Sequence, residues 1–149
     1  MSQAGIASIS DIIAIDLNAG TGITITQSGT SFTINAIGGG LTWNTVTGTS
    51  QAAAINNGYF ANNAGLVTIT LPAVSAVGSE IEVTGINNAT GWKIGQNAGN
   101  QIFFGDESTT SGTGGSLSST ATYDTVRLIC FTANAKWVAV SSMGNITVT

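Results

Sequence analysis

The sequence contains no histidine, only three basic residues and a single cysteine among its 149 residues. The absence of histidine excludes Ser-His-Asp and Cys-His triads and imidazole zinc sites. The single cysteine, Cys130, excludes an intrachain disulfide and a cluster of thiolate ligands. Because Cys130 stands within an apolar run, residues 126–131, we expect it to be a small buried hydrophobe. The composition therefore predicts no catalysis, no cofactor and no metal site.

Charged residues are also scarce, at 7% of the chain against about 25% in a typical soluble domain. The net charge is −4, and the only cations are Lys93, Arg127 and Lys136. No basic patch can form, which excludes binding to nucleic acid and attraction to a membrane surface. So few charges protect a monomer poorly against association, which favours an oligomer. A monomer with a neutral coat of threonine and asparagine is the alternative.

Long apolar runs are missing as well. No stretch approaches the roughly 18 uninterrupted apolar residues of a membrane helix, so we expect no membrane insertion. The first cation is Lys93, so the beginning of the sequence lacks the basic segment of a secretory signal peptide. We therefore expect synthesis in the cytoplasm without a signal peptide.

Strand patterns dominate what is present, and they predict an all-β protein. Residues 23–27 (ITITQ) and 32–35 (FTIN) alternate apolar with polar positions around Ser28-Gly29-Thr30, which indicates a β-hairpin. Residues 125–132 are the most apolar run, so we expect a central strand buried on both faces, joined by a turn to residues 136–140. Further strands are predicted at residues 66–71, 80–84, 92–96, 101–104 and 146–149. The low-complexity segment 108–116 predicts a mobile loop.

Three consecutive glycines, residues 38–40, divide the chain. Residues 1–40 are predicted to be an extended β-hairpin stalk with a glycine linker, and residues 41–149 an antiparallel, sandwich-like head. A two-stranded hairpin is marginal alone. It must therefore pack on the head or pair with copies of itself, and pairing with copies favours an intertwined trimer. The order of the strands, and the choice between a sandwich and an intertwined prism, stay open.

Carboxylate pairs offer two candidate sites. Glu80 and Glu82 alternate along one strand, which fits either a catalytic pair or an ordinary solvated face neutralised by Lys93 or Arg127. Residues 106–107 (DE) fit either calcium ligands or a solvated turn. In both places the solvated alternative is favoured.

Aromatic residues are the remaining candidates for ligand binding. Trp92 stands near several amide and hydroxyl side chains, a composition suited to stacking on a sugar and hydrogen bonding to its hydroxyls. Core or subunit-interface packing is the favoured alternative for every aromatic residue. The predicted ligand-binding residues are Trp92, Asn87, Asn88, Tyr59 and Tyr123.

Several segments carry a family resemblance. Residues 18–26 (NAGTGITIT) and 32–35 (FTIN) resemble the stalk repeats of phage tail fibres, and the head resembles the C-terminal modules of phage and prophage fibre proteins. In the head the likeness lies in Trp43 and in residues 47–51, 57–59, 66–72, 91–97, 102–105 and 137–142.

The resemblance implies a homotrimeric fibre module with no enzymatic activity, located in a virion or extracellular particle. Its implied partners are its own copies, other fibre or particle proteins, and a host cell-surface glycan or receptor. Two alternatives stay open: a stand-alone, lectin-like carbohydrate-binding module, and a particle structural or decoration subunit without a ligand.

Overall fold

A computed structural model of the chain describes residues 23–29, 31–36, 40–87 and 90–149. The chain divides into two compact units, Met1–Gly39 and Gly40–Thr149, and the division falls at the glycine run. The described residues form strands and no helix, which confirms the all-β prediction. No helix among them is long and apolar enough to cross a membrane.

The first unit contains the predicted hairpin. Strands β1 (Ile23–Ser28) and β2 (Ser31–Ala36) pair antiparallel, with Ile25 opposite Ile34 and Gln27 opposite Phe32. Gly29 lies in the connecting turn at a φ of 60°, a backbone conformation that glycine adopts without steric cost. The alternation of isoleucine with threonine therefore becomes a ribbon with one apolar and one hydroxyl face.

The second unit is a sandwich of two mixed sheets, which confirms the sandwich-like prediction. The seven-stranded sheet has the order β10-β9-β13-β12-β7-β5-β3, and the five-stranded sheet has the order β14-β11-β8-β6-β4. Their strands are β3 (Thr42–Val46), β4 (Ser50–Ala52), β5 (Asn57–Ala61), β6 (Val67–Thr70), β7 (Glu80–Gly85), β8 (Trp92–Gly95), β9 (Gln101–Phe104), β10 (Glu107–Ser108), β11 (Ser116–Ser119), β12 (Thr125–Thr132), β13 (Lys136–Met143) and β14 (Ile146–Val148).

Parallel pairing in the first half of the sandwich was not predicted. Consecutive strands alternate between the two sheets, so β3, β5 and β7 pair parallel in one sheet, and β4, β6 and β8 pair parallel in the other. Each strand of one sheet thus serves as the crossover between two parallel strands of the other. The second half is mainly antiparallel, with β9 and β13 forming one more parallel pair.

The predicted C-terminal hairpin is present as β12 and β13. β12 is central, lying between β7 and β13. Only alternate residues of β12 are fully buried, namely Val126, Leu128 and Cys130. The prediction of burial on both faces is therefore wrong, because Arg127 and its alternating neighbours point away from the core. The burial of Cys130 is confirmed.

The core lies between the two sheets and is filled from the inward-facing positions of both. Its largest members are Trp92 and Trp137, each fully buried. Burying a large apolar side chain stabilises a fold by about 1.5–3 kcal/mol, so this layer supplies the main attraction between the sheets. The remaining buried apolar residues are Val46, Ala53, Tyr59, Ala61, Val67, Ile69, Leu71, Ile81, Val83, Ile94, Ile102, Leu117, Val126, Leu128 and Cys130.

The two buried tryptophans differ in one respect that can be measured. The Trp92 indole N–H donates to the carbonyl of Asp124 at 2.8 Å, whereas the Trp137 indole N–H has no acceptor among the described residues. We expect Trp92→Phe to lower the free energy of unfolding by about 1–3 kcal/mol more than Trp137→Phe, because only the first substitution removes a hydrogen bond. Urea denaturation of both variants checks this, each serving as the control for the loss of ring volume. Equal losses would contradict it.

Candidate functional site

The outward-facing side of the seven-stranded sheet carries the most varied set of accessible side chains. We call this side the outer face. Its members alternate with the buried residues along each strand and are only half-buried or exposed. They are Trp43, Thr45, Phe60, Glu80, Glu82, Thr84, Phe103, Thr125, Arg127, Ile129, Phe131 and Val138.

An aromatic pair lies at the β3 edge of the outer face. The rings of Trp43 and Phe60 stack with their centroids 4.4 Å apart and their planes inclined by 17°. Trp43 is 42% exposed, although its indole rests against the sheet. We call these two side chains the Trp43–Phe60 platform.

Gly58 creates the space in which the indole lies. A Cβ atom at this position would approach the Trp43 ring to 2.6 Å, which is far inside van der Waals contact. The register aligns Gly58 with Trp43 on the neighbouring strand. A glycine within a strand often marks a close approach of another group to the backbone. The Asn57-Gly58-Tyr59 sequence was the signal that could have pointed to this site.

Polar side chains continue from the platform across the sheet. The register places Glu82 beside Gly58 on β7, and Thr84 beside Phe60. Thr125 of β12 stands opposite Thr84, and the two hydroxyl groups are hydrogen bonded to each other at 3.0 Å. The platform is therefore bordered by hydroxyl groups and one carboxylate.

The outer face also carries the ion pair of the head. The Arg127 guanidinium hydrogen bonds to the carboxylate of Glu80 on the adjacent strand. This hydrogen bond, together with the charge of Glu80, raises the pKa of Arg127 above its usual value. The prediction was that Lys93 or Arg127 neutralises Glu80 and Glu82 from a neighbouring strand, and the structure pairs Arg127 with Glu80.

A second aromatic group lies at the opposite side of the outer face. Phe103 and Phe131 meet edge to face with centroids 5.5 Å apart, and the Lys136 ammonium lies 5.7 Å from the Phe103 ring centroid. These contacts involve the rings with each other and with a cation. The group differs from the Trp43–Phe60 platform in that a cation already lies over one of its rings.

Two of the predicted ligand-binding residues belong to the core. Trp92 is fully buried, and its indole N–H donates a hydrogen bond to the Asp124 carbonyl. Tyr59 is 2% exposed, and its hydroxyl accepts a hydrogen bond from the Ala54 N–H at 2.6 Å. Both side chains thus have the core role that the sequence favoured, with their polar atoms satisfied internally.

Two more of the predicted residues, Asn87 and Tyr123, lie in loops at one end of the sandwich. The Asn87 N–H donates to the carbonyl of Ala61, and the Tyr123 N–H donates to the carbonyl of Gly85. Both side chains are exposed, Tyr123 at 66%. Asn88 lies outside the described residues. The structure thus brings Asn87 and Tyr123 to adjacent loops and separates them from the buried Trp92.

Tyr123 is held in an unusual backbone conformation by its neighbour. Its φ is 71°, in the left-handed region that costs a non-glycine residue of order 1 kcal/mol or more. The Asp124 carboxylate accepts hydrogen bonds from the N–H groups of Thr120 and Ala121 at 2.8 and 2.9 Å. These bonds close the loop and fix the backbone that presents Tyr123.

Acidic side chains do not gather into a metal site in the part of the chain that the structure describes. No group of three or more potential ligands from His, Cys, Asp and Glu is found there. Asp106 and Glu107 are both exposed, and Asp106 lies in the turn between β9 and β10. The exposure of both side chains fits the solvated-turn alternative.

The sequence was also compared with known proteins. No family model matches the chain, and no similar sequence is found among curated proteins.

Proposed function

We propose that the chain is a non-catalytic structural and adhesive module of a fibre-like particle, of the phage tail-fibre type, and that it assembles as a homotrimer. The observation that carries this proposal is the exposed, uncharged apolar face of the β1–β2 hairpin. Its implied setting is a virion or extracellular particle.

The apolar face of the hairpin is formed by side chains that the register places together. Ile23, Phe32 and Ile34 are 42%, 46% and 60% exposed, and Ile25 stands opposite Ile34. The opposite face contains the cross-strand pair Thr26 and Thr33. Residues 23–36 include no charged side chain. No repulsion therefore opposes the approach of a second copy of this surface.

Association with other copies would supply the β1–β2 hairpin with strand partners and with burial of its apolar face. Among the described residues, β1 and β2 pair only with each other, so each strand keeps an open edge. An isolated two-stranded hairpin is marginally stable in water. Copies of the same segment bury the isoleucine faces against one another, at about 1.5–3 kcal/mol for each fully buried side chain. Self-association is therefore the proposed role of the hairpin.

The number of copies and the identity of the partners come from the resemblance of the sequence to phage fibre modules. That resemblance implies three copies, attachment to other fibre or particle proteins, and contact with a host surface glycan. The scarcity of charge supports association in general, because it leaves few groups that resist burial.

The assembly is tested by substituting the two isoleucines that face each other. We expect the wild-type chain to sediment as a trimer at micromolar concentration. Ile25→Thr combined with Ile34→Thr should weaken association at least about a hundredfold, because each copy loses apolar burial at two positions while β-branching is kept. Sedimentation equilibrium or native mass measurement provides the mass.

The matched control lies on the other face of the same ribbon. Thr26→Ser combined with Thr33→Ser should leave the mass unchanged. The described core residues all lie in the second unit, so near-ultraviolet circular dichroism of the buried tryptophans should stay constant in both variants. A monomeric wild-type chain, or an isoleucine variant that keeps the wild-type mass, would overturn the proposal.

A stand-alone carbohydrate-binding module is the second candidate, favoured by the exposure of Trp43. It is distinguished by a wild-type monomer that binds oligosaccharides. A structural or decoration subunit without a ligand is the remaining alternative, and it is distinguished by assembly without any binding to glycans.

A further inference from the structure

We propose that the Trp43–Phe60 platform is a binding site for a neutral saccharide, with the Trp43 indole stacking on the sugar ring. The saccharide would be the ligand of the adhesive module proposed above. The inference rests on the proposed function for adhesion and not for assembly as a trimer. Neither Trp43 nor Phe60 is among the five ligand-binding residues predicted from the sequence.

The geometry of the platform favours stacking. Phe60 packs against Trp43 and Gly58 admits the indole close to the backbone, so the ring is fixed in place before a ligand arrives. A fixed aromatic surface loses little conformational entropy on binding. Trp43 nevertheless keeps 42% of its surface exposed on an edge strand. A rigid, accessible aromatic ring can therefore stack on the apolar face of a sugar with little loss of conformational entropy.

The charges around the platform select against anionic ligands. Glu82 stands beside Gly58, and the nearest cation on this face, Arg127, is already paired with Glu80. An anionic ligand would therefore meet a carboxylate without a free cation to offset it.

Hydrogen-bonding groups lie at a suitable reach from the indole. Strands are spaced by about 4.8 Å, so Glu82 and Thr84 on β7 lie roughly 10 Å across the sheet from the β3 backbone. The Glu82 carboxylate and the oxygen of the Thr84 hydroxyl can accept hydrogen bonds from a ligand. Acceptors of this kind suit the ring hydroxyls of a neutral sugar, which donate hydrogen bonds.

The test uses the difference in exposure among the tryptophans. Trp92 and Trp137 are fully buried, so quenching of fluorescence by acrylamide reports mainly on Trp43. The probes are neutral gluco-, galacto- and manno-oligosaccharides, with sialylated oligosaccharides for comparison. We expect at least one neutral series to bind the full chain and to shield Trp43 from acrylamide, and the sialylated probes to bind more weakly.

Variants of the full chain then assign the site. Trp43→Ala should weaken binding of that series at least about tenfold, and Trp43→Tyr should restore most of it, because the aromatic face is kept. Gly58→Ala should weaken binding too, since the added methyl displaces the indole. Tyr123→Ala is the matched control, because Tyr123 is an aromatic residue of the head that is 66% exposed and lies outside the platform. Thermal denaturation of each variant verifies that the head remains folded.

Two results would overturn the proposal: no binding of any neutral series by the wild-type chain, or affinity within twofold of wild type in Trp43→Ala. Loss of affinity in Tyr123→Ala with retention in Trp43→Ala would overturn it in favour of the loop end of the sandwich. A monomeric wild-type chain that binds oligosaccharides would refute the trimer but not this site. A trimer that binds no neutral sugar would refute this site but not the trimer.

Discussion

Asp124→Ala is expected to lower the free energy of unfolding of the head by about 3–5 kcal/mol. Asp124 is 4% exposed, and its carboxylate accepts hydrogen bonds from the backbone N–H groups of Thr120 and Ala121. Hydrogen bonds to a charged group contribute about 1.5–3 kcal/mol each, and alanine offers no replacement acceptor. For a chain of this size each kcal/mol lowers Tm by roughly 2–4 °C.

The packing around Asp124 leaves little room for water to take the place of the carboxylate. A Cβ atom on Gly144 would lie 1.9 Å from the Asp124 Oδ1, so this glycine, at a φ of 83°, is packed directly against the acid. Asp124→Asn keeps one acceptor oxygen, and we expect an intermediate loss of about 1–2 kcal/mol.

Urea and thermal denaturation measure the loss, and Asp106→Ala is the control. Asp106 is exposed in the turn between β9 and β10, where a substitution should change stability by no more than about 0.5 kcal/mol. Equal effects of the two substitutions would show that the hydrogen bonds to Asp124 contribute little. The same loop carries Tyr123 at its positive φ, so a mobile Tyr123 ring in Asp124→Ala is the accompanying structural expectation.

Local patterns predicted many of the strands, although β3, β4, β5, β10 and β11 were not among the predicted ones. In residues 66–71 the alternation of apolar with threonine residues gives β6, and in residues 80–84 the alternation of glutamate with Ile81 and Val83 gives β7 with its glutamates outward. The hairpin of β1 and β2 follows from the same alternation and a glycine turn. Each of these features depends on residues that are close in the sequence.

The pairing of the strands could not be predicted in this way. A strand with one buried face shows the same alternation in parallel and antiparallel sheets. The parallel partners Asn57 and Ile81 are separated by β6 of the other sheet, and nothing in either segment records that crossover. Trp43 and Phe60 belong to the same kind of long-range pair, so the Trp43–Phe60 platform is visible only in the folded chain.

The burial of Trp92 follows from the alternation of residues along β8. Asparagine and threonine nearby suggested a sugar site, but Trp92 and Ile94 alternate with Lys93, which places the two apolar side chains on one face of β8. A strand with lysine on one face turns its tryptophan to the core. The alternation of the strand itself was therefore the better guide than the composition of the preceding loop.

The segment 108–116, predicted to be a mobile loop, is hydrogen bonded to a buried side chain that lies outside it. Gln96 is 4% exposed, and its Nε2 donates to the carbonyls of Thr110 and Gly112, both at 2.8 Å. The Thr109 hydroxyl donates to the Gln96 Oε1 at 2.6 Å. Low-complexity composition describes the segment but carries no information about this distant amide.

Gln96→Ala is accordingly expected to lower the free energy of unfolding by about 2–4 kcal/mol, because it leaves two carbonyls and one hydroxyl without their buried partner. It should also raise amide hydrogen exchange in residues 109–115 more than elsewhere in the head. Gln51→Ala is the control, since Gln51 is exposed on the short edge strand β4 and should change stability by less than about 0.5 kcal/mol. If hydrogen exchange in this loop were already fast in the wild-type chain, the hydrogen bonds of Gln96 would not be what orders it.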